Sequence, residues 1–75
     1  MYTISEKKQA QITNNFTYHA PKEGQAERYN KIRAEAEYFA ELLCSLCPES
    51  RELSVALTEL ETCVMWANSA IARNE

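Results

Sequence analysis

Rings and positive charge gather in one part of this 75-residue chain. The stretch "NFTYHAPKEGQAERYNKIR", Asn15 to Arg33, holds Phe16, Tyr18 and Tyr29, the single histidine His19, and the cations Lys22, Arg28, Lys31 and Arg33. A flat ring can stack on a nucleobase, an interaction of about 1–3 kcal/mol per base. An ammonium or guanidinium donates charge-assisted hydrogen bonds to phosphate, arginine through a planar fork. Rings and cations in a loop leading into a helix therefore suit a nucleotide that is held and not transformed. A plainer reading uses the same residues: Tyr29 belongs to the core, Tyr18 packs the loop down, and the cations pair with Glu23 and Glu27. Tyr29 goes to the core because it opens an apolar stripe. For Tyr18 and Arg33 both readings stand.

Other chemistry fits less well. "CSLC", residues 44–47, is one cysteine pair, whereas zinc takes four ligands and the remaining candidates, Cys63 and His19, are distant in the chain. A redox pair is expected at a strand-to-helix junction, and this one sits at a helix end. Cysteines at that spacing share a helix face, where they are expected to fill small gaps. Glu35, Glu37, Glu41, Glu59 and Glu61 fall away from the apolar stripes and read as solvated surface. With one glycine the chain has no phosphate-cradling glycine loop, and no serine lies in a glycine-framed turn. No catalytic residue, metal site or cofactor is assigned.

The elements that must position the rings and cations are helices. Residues 1–13 are polar, with Ser5 a good N-cap for a short helix to about Ile12. Residues 14–24, with paired Asn, Pro21 and Gly24, read as the loop that carries the candidate ligand residues. Over residues 25–47, Tyr29, Ile32, Ala36, Phe39, Leu43 and Leu46 recur at alternating spacings of three and four, an apolar helical stripe. Pro48 ends it. Residues 50–74, capped by Ser50, repeat the pattern through Leu53, Leu57, Leu60, Val64, Ala67 and Ile71. So short a connection makes the two helices an antiparallel hairpin.

Size and charge bound the function. The chain is one all-α domain at most, with a core too small to be comfortable alone. A formal charge of −3 argues against general binding of DNA or RNA polymers, which takes an extended basic face. Any anion site must be local. Three cysteines, no apolar leader and no long apolar run point to a reduced, intracellular protein with no membrane association. "CVMWANSAIA", residues 63–72, is apolar nearly all round, and one partner helix cannot cover it. Self-association is the expected cover, folding-over of the N-terminal segment the alternative.

Three stretches together carry a family resemblance: "FTYHAPKEGQAERYNKIR", "CPESRELSVALTELE" and "VMWANSAIARN". They are similar to the phage anti-CBASS sponges, small proteins that sequester the cyclic oligonucleotide messengers of bacterial antiviral signalling. The likeness spans about residues 14–75 and is most specific at the "VMWANSAIARN" ending. It implies a short N-terminal helix and a helical hairpin assembled as a homohexamer in the cytoplasm of an infected bacterial host. It also implies cyclic dinucleotides bound between protomers, in many members cyclic trinucleotides at separate sites, and no cleavage of either. Residue by residue, the base-stacking ring matches Tyr18 and the phosphate-reaching cation Arg33, with Lys22 and Arg28 as further phosphate ligands. Asn68 and Arg73 match the trinucleotide site or the hexamer interface. The chain departs from the family's usual loop in having Ala20-Pro21 where a Pro-Pro pair is common, and Leu53 replaces a residue that is often polar. A different reading, independent of the resemblance, is a helical adaptor that binds a host protein through residues 63–72. A small nucleotide-hydrolysing bundle is a third.

Overall fold

The computed structural model describes residues 1–75 as three helices and no strand: α1 Glu6–Asn15, α2 Gln25–Leu46 and α3 Arg51–Asn74. Ser5 is extended, and its side-chain oxygen accepts the Lys8 amide hydrogen at 3.1 Å. This satisfies one of the amides that a helix start leaves unpaired. The helix then runs to Asn15, past the expected end at Ile12. Phe16 N–H donates to the Ile12 carbonyl at 3.0 Å and Thr17 Oγ1 to that of Thr13 at 2.6 Å, so the connecting loop begins only at Phe16.

Helix α2 ends where Cys47 turns extended, just before Pro48, and Ser50 caps α3 by accepting from Leu53 N–H at 3.1 Å. Helices α2 and α3 pack as the antiparallel hairpin, the one helix pair in extensive contact. On α3 all six stripe residues are half-buried against α2. On α2 the stripe drifts. Tyr29, Ile32, Ala36 and Leu43 face inward, but Phe39 and Leu46 are exposed and Ala40 takes the inward position. The spacing supplies the reason: the α2 stripe averages about 3.4 residues per turn, whereas a straight helix turns every 3.6 residues. The α3 stripe averages about 3.6 and stays on its seam.

This chain has no hydrophobic residue that is fully buried. It is 49 × 39 × 13 Å, one helix thick, and its Cα radius of gyration is 16.8 Å, against roughly 11 Å for a compact domain of this length. Its accessible surface is 6497 Å², against roughly 4,700 Å² for a compact monomer of this mass. Helix α1 does not close over the apolar end of α3, since Met65 and Trp66 remain exposed; it is tied to α3 by Asn14 Nδ2 donating to the Arg73 carbonyl at 3.0 Å. The cysteines also depart from expectation. Cys44, Cys47 and Cys63 are all exposed, so none is enclosed by the packing of α2 on α3. No helix is long and apolar enough to cross a membrane.

Gly24 opens α2 with φ of 81°, in the left-handed region, and a side chain built there would meet nothing within 4 Å. The demand for glycine is therefore one of backbone conformation, not space. Gly24→Ala is expected to cost about 1–2 kcal/mol and Gly24→Asn less, measured by urea unfolding at fixed protein concentration.

Candidate ligand site

The antiparallel reversal brings the start of α2 and the end of α3 to the same end of the hairpin, where the loop of residues 16–24 also lies. Five of the six residues named from sequence collect there in three separate groups, and Tyr18 stands apart. Arg33 of α2 and Asn68 of α3 both line a cavity of about 250 Å³, with His19, Tyr29, Ser69 and Ala72. The Arg33 guanidinium carbon lies 6.0 Å from the Tyr29 ring centroid, one helical turn back. Arg33 has no carboxylate partner. Asn68 Oδ1 is buried and accepts no hydrogen bond. A buried acceptor without a donor is costly, of order 1–3 kcal/mol. His19 borders the cavity with Nε2 2.9 Å from the Asn14 carbonyl; because a carbonyl only accepts, Nε2 carries the proton and donates.

Lys22 and Arg28 form a second group, around Glu75. The Arg28 fork pairs with the Glu75 carboxylate, its second bond at 2.8 Å, and Lys22 Nζ donates to the Glu75 backbone oxygen. Gln25, 3% exposed and the one buried residue of the chain, links loop to helix. Its Oε1 accepts Lys22 N–H at 2.9 Å, which turns Nε2 toward Glu75 Oε1 at 3.3 Å. The Arg28 hydrogen bond, then that of Gln25, holds the Glu75 carboxyl at about 2, against 4.5 for a free one, while burial acts weakly the other way. The same bond raises Arg28. The pairing of the cations with Glu23 and Glu27, part of the plainer reading, does not occur: Lys31 pairs with Glu35 at 3.8 Å and Arg28 with Glu75.

Arg73 forms the third group. Its guanidinium carbon lies 6.0 Å from the Trp66 ring centroid, and both border a groove between α1 and α3 with Gln11, Asn14 and Asn15. Tyr18 joins none of these groups; it is 84% exposed, and Phe16 beside it is equally open. Within one chain Tyr18 and Arg33 do not line a common cavity. Sequence reasoning missed Gln25, Ser69 and Glu75. Nothing local marks Glu75 as the partner of Arg28, 47 positions away. No three His, Cys, Asp or Glu side chains come together in a way that could hold a metal.

A protein-family model described as "Acb2/Tad1, hairpin domain" matches residues 8–72, nearly the whole chain. No curated protein and no solved structure matches it.

The Glu75 contact has a measurable consequence. Its lowered carboxyl makes the ion pair fully present above about 4.5 and lost as pH falls through about 2. Both side chains are substantially exposed, so the effect on stability is small and screened by salt. Carbon-detected NMR of the Glu75 carboxyl is expected to give a midpoint near 2, returning toward 4.5 in Arg28→Ala. A wild-type midpoint near 4.5 shows that the pair does not form in solution.

Proposed function

The chain belongs to the Acb2/Tad1 hairpin-domain family, the anti-CBASS sponges, and from that premise we propose that it binds and sequesters cyclic oligonucleotide messengers without cleaving them. The observation that carries this reading at the level of residues is the Arg33–Asn68 cavity: a cation with no anion beside a buried acceptor with no donor. Phosphate satisfies the first. Cyclic dinucleotides are the proposed ligands. Tyr18, exposed in the single chain, stacks on a base of the ligand while Arg33 of the opposite protomer holds its phosphate, and Lys22 and Arg28 are further phosphate ligands. A cyclic dinucleotide has two phosphates and two bases in near two-fold symmetry, and a two-fold protein interface is self-complementary in the same sense. Each protomer then supplies one ring and one cation to each half.

Assembly is part of the proposal. A layer one helix thick, with no buried apolar side chain and with Met65 and Trp66 open, is completed by further copies, six in the proposed hexamer. The groove of Arg73 and Trp66, with Asn68 nearby on α3, is the proposed place for a cyclic trinucleotide or for the contact between copies. The medium of action is the cytoplasm of the infected bacterium. The protein acts by binding alone, with no catalytic residue and no cofactor.

Native mass spectrometry with a panel of cyclic di- and trinucleotides is expected to show about six protomers and about one dinucleotide per two protomers. Chromatography after heat denaturation should return the nucleotide intact. A well-folded monomer at micromolar concentration overturns the assembly, and a linear dinucleotide formed in proportion to protein and time overturns the sponge in favour of an enzyme. A complex with an unrelated protein through Met65 and Trp66, and no nucleotide bound, points to the adaptor.

Tyr18→Ala removes a stacking face and should weaken dinucleotide binding by roughly 1–3 kcal/mol per ring, with both symmetry copies lost together. Tyr18→Phe should retain most of the affinity. Arg33→Ala is expected to cost a comparable amount and to make binding less sensitive to salt. Titration calorimetry reads all three. A Tyr18→Ala protein of wild-type size and wild-type affinity places the site elsewhere.

A further inference from the structure

Lys22, Gln25 and Arg28 make an oxyanion seat that is already filled. The donors differ in kind but converge: the Lys22 ammonium on the Glu75 backbone oxygen, the Arg28 fork and the Gln25 amide on its carboxylate. The seat is built, not incidental. Gln25 is the chain's one buried side chain, and Lys22 N–H holds its amide in the orientation that turns Nε2 toward the anion. Gln25 N–H donates back to the Lys22 carbonyl at 3.0 Å, so loop and helix are locked at the spacing the seat requires. The occupant is held less firmly. The Arg28 and Glu75 side chains keep 50% and 41% of their exposure, and ion pairs this open are weak and easily exchanged.

We propose that Glu75 is an internal competitor: its carboxylate on Gln25 and Arg28, and its backbone oxygen on Lys22, together fill the seat, and the phosphate of an incoming nucleotide must displace them. The inference rests on the nucleotide-binding reading above and adds to it a determinant of affinity. A carboxylate and a phosphodiester both present two oxygens to a guanidinium fork, so one replaces the other without rebuilding the donors. With Glu75 seated, the Arg28 guanidinium is paired with a carboxylate; with it displaced, that charge is free for phosphate. Glu75 thereby sets a threshold that a single phosphate meets poorly. A cyclic dinucleotide, with two bases engaged elsewhere, meets it more easily.

The test compares wild type, Glu75→Gln and the double variant Glu75→Gln with Arg28→Ala, each first checked for helix content and oligomer mass. Cyclic di-AMP is titrated by calorimetry, and inorganic phosphate is followed by phosphorus NMR. Glu75→Gln is expected to bind both about three- to fivefold more tightly than wild type and with a steeper dependence on salt. The double variant should lose that gain. Phosphate tightening without any binding of cyclic di-AMP, or of the other cyclic nucleotides of the panel, keeps the seat and removes the sponge reading. Binding of cyclic di-AMP with equal affinity by wild type and Glu75→Gln overturns the competitor and leaves the sponge reading in place. Weaker binding by Glu75→Gln also overturns it, because Glu75 would then be a clasp that positions the loop.

Discussion

Because Pro48 cannot donate the next helical hydrogen bond and Ser50 caps a new helix at once, α2 and α3 double back on each other over nearly equal lengths, 22 and 24 residues. The reversal decides which residues meet. The loop of residues 16–24 and the start of α2 fall beside the end of α3, which sets Arg33 against Asn68 and Arg28 against Glu75. Neither pair has any relation in sequence. A parallel arrangement of the same helices would scatter these groups to opposite ends of the chain.

The same reversal explains how an acidic protein offers positive charge to an anion. The net charge of −3 is spread along the exposed helix faces, while Lys22, Arg28 and Arg33 are concentrated within one end of the hairpin. Charges separated by more than about 10 Å are largely screened at ordinary ionic strength, so the local set and not the total governs what approaches. Within that set the cations are not equivalent. Arg28 is neutralised by Glu75, Lys31 leans on Glu35, and Arg33 makes no ion pair and lies over the face of Tyr29.

The hairpin is also unfinished as a packed object. Its seam half-buries the α3 stripe and most of the α2 stripe, and everything on the outer faces stays open, from Tyr38 and Phe39 to Met65 and Trp66. A single layer of helices has no second layer to enclose its apolar side chains, whatever their number. The exposed rings and the flat 13 Å profile are two aspects of one geometric fact.

From the sequence alone, local features were legible: the caps at Ser5 and Ser50, the stop at Pro48, three helices in order, and the stripe of α3. Each is set by residues within a turn or two of one another, through backbone hydrogen bonding and the helical period. The α2 stripe was legible only in part, since a spacing that averages below the helical period drifts, and the choice of Ala40 over Phe39 and Leu46 depends on where α3 lies. The cations and the ring Tyr18 were recognisable by type, but their partners were not. That Arg28 faces Glu75, that Arg33 shares a cavity with Asn68, and that Gln25 is the one buried side chain were decided only when the hairpin closed. These contacts join groups tens of residues apart, and a helical pattern states which face turns inward without stating how far one helix is displaced along its neighbour.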